Sequence, residues 1–256
     1  MIAARSASRR PVIDFMRVGA VSGILLATAL AAIFITSGFL STANPRTETA
    51  VFLRDVAERQ TLLLATVWVA GAFSFLLTPF FLGLYHGLRH WSEDYMQVSL
   101  LAGILATVLG AVLVMLQAIG AGSIIPAWTA SDNEATRLML LSDLNAVAWG
   151  IDAMSRMFDF AIALATLTAS FVMLRMGRRW WKTLSWVGIV SGGIHIPIVF
   201  LLFFRPSLEP VHFIADATFL LWMLGVGIGL WNVSSVAVRS PESDLGSDPV
   251  PLPPIS

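Results

Sequence analysis

The chain has 256 residues, 57% of them hydrophobic and 12% charged, with 16 basic and 16 acidic side chains and no cysteine. A soluble domain carries about 25% charged residues, so charge alone cannot keep this surface in water, and much of it must face lipid. The balanced charge gives no pull toward nucleic acid. The lack of cysteine excludes disulfides, thiolate metal sites and thiol catalysis.

A tail over residues 1–17 carries Arg5, Arg9, Arg10 and Arg17. A bilayer crossing needs about 20 mostly apolar residues, and six such runs follow, at 18–40, 61–85, 97–120, 147–176, 183–204 and 213–233. They are long, unbroken and lack strand alternation, so they predict an all-α polytopic transmembrane helical bundle over residues 18–239. A cleaved signal peptide is the alternative for the first run, but its apolar stretch exceeds the about 7–15 residues of a signal core.

The links between the runs differ in character. Residues 41–60 predict a charged, partly helical connection. In residues 121–146, Pro126 interrupts the chain, and Ser131 with Glu134 reads as a capping box opening a helix. That segment is either a short interfacial helix, an extension of the fourth span, or simply a connection. Arg175, Arg178, Arg179 and Lys182 mark the link between spans four and five. With the N-terminal arginines, they predict both termini on the cytoplasmic side. Lys182 is the single lysine and lies at a helix end, which excludes a Schiff-base chromophore in mid-membrane. The tail at 240–256 is rich in Pro, Ser and Asp and predicts disorder.

Inside the spans, Gly19 and Gly23, Gly188 and Gly192, and Gly225 and Gly229 repeat at helical spacing, as close helix packing requires. The same pattern would serve a homo-oligomer or another membrane protein. Pro79 and Pro197 each remove a backbone hydrogen bond, and Pro197 frees the carbonyl of Gly193 beside His195. Trp91, Trp128, Trp180, Trp181 and Trp231 fall near span boundaries, as interface anchors do.

Chemistry concentrates in the late spans. Asp152, Arg156 and Asp159 share one helix face, continued by Ala163, Thr166 and Ser170. Lipid contact would cost such charges at least a few kcal/mol each, so the stripe must turn inward. Counting about 1.5 Å per residue from the helix ends brings His195, His212 and Asp216 to a similar outer layer, with Thr36 and Gln117 from earlier spans. The residues predict an externally facing polar pocket, formed by Asp152, Arg156, Asp159, His195, Asp216 and Gln117, that binds a small ligand or ion, as in a transporter.

Other readings stay open. His195, His212 and Asp216 form a candidate Zn²⁺ set for a metal-dependent membrane hydrolase, with Asp152 or Asp159 as base. A b-type haem is disfavoured, because His195 and His212 differ in reckoned depth by about a third of the hydrocarbon thickness and His86 lies at the other face. A non-catalytic subunit would use the same residues as packing: Arg156 as an ion triad with Asp152 and Asp159, His212 paired with Asp216, His195 on the Gly193 carbonyl. No P-loop, Rossmann glycine pattern or HExxH occurs.

The runs MRVGAVSGILLATALAAIFI and FVMLRMGRRWWKTLSWVGIVSGG resemble those of uncharacterised bacterial multi-pass membrane proteins, grouped as a domain of unknown function. The resemblance implies a bacterial inner-membrane location and brings no catalytic residues with it.

Overall fold

In the computed structural model, residues 14–40, 49–202 and 209–239 are described. The N-terminal tail before residue 14, and the tail expected to be disordered, lie outside them. The helices are α1 (Phe15–Leu40), α2 (Thr49–Glu58), α3 (Gln60–Leu88), α4 (Glu93–Ile119), α5 (Ile125–Ala130), α6 (Glu134–Leu174), α7 (Arg179–Leu201) and α8 (Glu209–Arg239). A π turn at Gly120–Ile124 joins α4 to α5. No strand occurs among the described residues.

Six of these helical stretches are long and apolar enough to cross a bilayer, α4 counting together with its continuation to Ala130. The chain is an integral, multi-pass membrane protein, with the spans where composition put them. Most boundaries move outward because helix continues past the apolar core, but the fourth and fifth spans end earlier than expected, at Leu174 and Leu201. Pro79 and Pro197 both lie within continuous helix. In these spans the missing backbone bond does not end the element.

The largest departure is α6. Residues 134–146 are neither an interfacial helix nor a mere connection; they extend the fourth span into a helix of 41 residues. At 1.5 Å per residue it is about 60 Å long, twice the thickness of a hydrocarbon core. Its charges all precede Phe160, and residues 160–174 have none, so the N-terminal half is the part that leaves the hydrocarbon. The cap is also displaced. Asn133, not Ser131, is the N-cap, its side chain accepting from the amides of Ala135 at 2.9 Å and Thr136 at 3.3 Å. Ser131 instead accepts from the Asn133 amide.

The helix backbones approach closely through small residues. A Cβ on Gly19 would lie 2.6 Å from Cα of Gly83, so α1 and α3 touch backbone to backbone. Gly23 meets Gly227 of α8 in the same way, at 3.1 Å. Gly188 and Gly192 press α7 on α6, and a Cβ on Gly192 would meet the Ala163 carbonyl at 2.9 Å. The predicted glycine pairs therefore serve packing within one chain. Phe80, Phe81, Leu77, Leu84, Trp222 and Met223 fill the centre and are fully buried.

Two boundary features complete the frame. Trp91, Trp180 and Trp231 are exposed, as anchors should be, but Trp181 is 3% exposed and belongs to the core, where it packs beside Gly229. His86 stacks on Phe15 at 4.6 Å, and Arg175 lies over Tyr95. The start of α1, the end of α3, the start of α4 and the end of α6 thus share one end of the bundle. The opposite end gathers α2, the π turn, α5, and the α7 C-terminus with the α8 N-terminus.

Candidate metal centre

Three helices meet at that second end. α6 contributes Asp159, α7 contributes His195 and Ser191, and α8 contributes His212 and Asp216. Helical periodicity sets each side chain: 212 and 216 are one turn apart on α8, as are 191 and 195 on α7. Their inward facing follows from the cost of exposing ionisable groups to lipid.

The contacts form a chain. His195 Nδ1 lies 3.1 Å from the Ser191 carbonyl oxygen, and its Nε2 lies 3.0 Å from Asp216 Oδ1. His212 Nε2 lies 3.1 Å from Asp159 Oδ2, and its Nδ1 lies 3.5 Å from Asp216 Oδ2. The imidazoles touch edge to face, with centroids 5.4 Å apart.

Every ring nitrogen in this chain therefore faces an acceptor. A neutral imidazole has one N–H, so two neutral rings complete two of the four contacts. The other two bring a lone pair against an oxygen acceptor unless positive charge sits between them; when the outer nitrogens carry the N–H, both of these contacts fall on the Asp216 carboxylate. Two further protons would supply it, and so would one divalent cation.

The donor positions suit the cation. One ligand atom each from His195, His212 and Asp216 lies within 4.8 Å of the others. Ligand lengths of about 2.0–2.2 Å give a tetrahedral edge of about 3.4 Å. His195 Nε2 lies 3.0 Å from Asp216 Oδ1 and His212 Nδ1 lies 3.5 Å from the other oxygen, Oδ2, so the two rings address the two oxygens of one carboxylate. With Nδ1 of His195 on the Ser191 carbonyl and Nε2 of His212 on Asp159, the inward nitrogens are His195 Nε2 and His212 Nδ1. Metal-ligating histidines characteristically donate their outer N–H to a carbonyl or carboxylate in this way. His195 is 2% exposed; the His212 and Asp216 side chains keep about a quarter of their surface open, which leaves access on one side.

The predicted residues divide into three places. Asp159, His195, His212 and Asp216 come together. Asp152 and Arg156 form a bidentate pair one to two turns along α6, with Arg156 Nη2 2.9 Å from Asp152 Oδ1 and Nε 3.3 Å from Oδ2. Of the three residues expected as an ion triad, Arg156 pairs with Asp152 and Asp159 turns to His212. Gln117 lies elsewhere, in an apolar cavity bounded by α2, α3 and α6. Thr36 donates to carbonyls of its own helix.

Three further expectations change. The side chains contact one another, where an open pocket lined by all six was expected. His195 bonds the carbonyl of Ser191, one turn back, and not that of Gly193, because its ring folds along its own helix. The reckoned difference in depth between His195 and His212 also vanishes: helix ends are not level, and side chains reach across. Their edge contact leaves no slot for a porphyrin between the rings. Sequence reasoning missed Ser191, whose only signal was its place four residues before a histidine.

Beneath the cluster, His195 meets Phe219 at 6.5 Å, and Phe219 stacks on Trp222 at 6.0 Å. Thr166 and Ser170, on the stripe below Asp159, are fully buried. Their hydroxyls and the Trp222 indole N–H have no hydrogen-bond partner among the described residues. No family model matches the chain, and no curated protein or solved structure does.

Proposed function

We propose that this membrane protein binds one divalent transition-metal ion of the Zn²⁺ type through His195, His212 and Asp216, and acts as a metal-dependent membrane hydrolase. The carrying observation is the four-fold facing of ring nitrogens against acceptors, which one divalent cation completes while balancing Asp159 and Asp216. Two imidazoles and a carboxylate suit zinc, and three protein ligands leave a coordination position for water or substrate, as catalytic zinc sites do. Such an ion supplies Lewis-acid activation. Asp159 holds the His212 ring, and Ser191 holds that of His195. The Arg156–Asp152 pair lies beside the site, where the guanidinium suits developing negative charge. The arginine bias of the flanks supports placing this end outside the cytoplasm.

The test is metal analysis of protein purified without chelators, with hydrolysis of a panel of ester and amide reporters. Near-stoichiometric zinc, lost in His195→Ala, and activity removed by chelation and restored by zinc are expected. No metal even after zinc addition would end the reading; metal without any hydrolysis would remove the enzymatic part.

Transport of the ion has one observation behind it. Thr166, Ser170 and Trp222 offer unpartnered polar atoms below the site. The aromatic packing of Phe219 and Trp222 favours hydrolysis, since it closes the route. Zinc uptake by proteoliposomes that is lost in Thr166→Val would reverse that preference.

A further inference from the structure

α6 borders a second site of different chemistry. Where α4 passes through the π turn into α5, a cavity of ≈ 340 Å³ opens between α3, the turn and α6, with α2 alongside. Its size falls within the range of small-molecule sites. Leu53 and Val56 of α2 and Ile125 of α5 form its buried wall and a small core of their own. Asn145 and Ala148 on α6, which are exposed, mark its mouth.

Three observations favour a binding site over a packing defect. π turns are rare and concentrate at functional sites, and this one sets the small residues Gly120 and Ala121 into the cavity lining. A Cβ on Gly120 would meet only Leu144 and Val147, both at 3.8 Å, so neighbours have not collapsed onto the turn. The two amide side chains that reach the cavity, Gln117 and Asn145, have no hydrogen-bond partner among the described residues. No charged side chain is in the described lining. The space thus combines an apolar wall with unused neutral donors and acceptors, at the end of the bundle where α6 leaves the hydrocarbon.

We propose that this cavity binds a neutral single-chain amphiphile, such as a long-chain alcohol or a monoacylglycerol. The alkyl chain lies along Leu53, Val56, Val67 and Ile125, and the uncharged head meets the amides of Gln117 and Asn145. An anionic head would find no cation in the described lining, which sets the selectivity against free fatty acids. The site is independent of the metal centre, and chelation leaves it intact.

The test is photolabelling of the full chain in nanodiscs with a diazirine-bearing long-chain alcohol, mapped by peptide mass spectrometry. Saturable labelling is expected on the stretches around 53–67, 120–125 and 144–151, competed by monoacylglycerol and not by the matching carboxylate. Ala148→Trp, which fills the open mouth without touching the core, should cut labelling at least tenfold. Ala118→Trp, on the exposed face of α4, should leave it unchanged. Gln117→Leu should raise the half-saturating concentration severalfold. Non-saturable labelling spread over lipid-facing Leu101, Leu105 and Met115, or labelling that survives Ala148→Trp, would overturn the proposal. Equal competition by the carboxylate would overturn the neutral head.

Discussion

His195 of α7 turns Nε2 to Asp216 of α8, 3.0 Å away, while its other nitrogen is held by the carbonyl of Ser191. The ring thus joins two helices at a buried point and presents one nitrogen at a carboxylate. That single relationship ties the packing of the last two spans to the chemistry of the site.

Removing either member should release the ion. Asp216→Asn keeps the size of the side chain but replaces a carboxylate ligand by a neutral amide. Zinc content, read by inductively coupled plasma mass spectrometry, should fall from about one per chain to a small fraction in Asp216→Asn and in His195→Ala. The helical signal in circular dichroism should be unchanged.

Asp159 acts one step further out. It orients His212 and does not reach the proposed ion, so Asp159→Asn should weaken metal affinity by about 10–100-fold and not abolish it. Competition with a fluorescent zinc chelator measures this. Loss as complete as that of Asp216→Asn would place Asp159 among the ligands.

The Asp152–Arg156 pair should couple energetically. The Arg156 side chain is 11% exposed and that of Asp152 is 30% exposed, so the pair is shielded on one side only. A double-mutant cycle with Asp152→Ala and Arg156→Ala should return a coupling of about 0.5–3 kcal/mol in thermal or denaturant unfolding in detergent. Zinc content should survive each single substitution.

The close backbone contact of α1 and α3 should tolerate no side chain. A Cβ at Gly83 would lie 2.5 Å from Cα of Gly19 and 2.8 Å from the Phe15 carbonyl. Gly83→Val should therefore destabilise the protein by about 1–3 kcal/mol through overpacking, seen as a lower melting temperature. Gly177→Ala, where a Cβ would meet nothing within 4 Å, serves as the control.

The six spans were legible before folding because hydropathy is a local, additive property of about 20 consecutive residues. The glycine pairs were legible for a related reason, since a repeat of four places two small side chains on one face. Helix ends were less so. The extension of α6 back to Glu134 carries Glu134, Arg137 and Asp143 and does not look like a span, because it is helix outside the hydrocarbon. Trp181 looked like an anchor because position alone does not separate the core face of a helix end from its lipid face.

The sequence by itself determined the class of the molecule and the set of ionisable residues that must avoid lipid: the energy of burying a charge in hydrocarbon depends on the residue and its depth. Which of these residues meet was decided only in three dimensions. Asp159 pairs with His212 across 53 positions, and Gln117 goes to another cavity altogether. The rotation and level of each helix, set by glycine contacts and aromatic packing along their length, determine which side chains come within about 3.0–3.5 Å of one another.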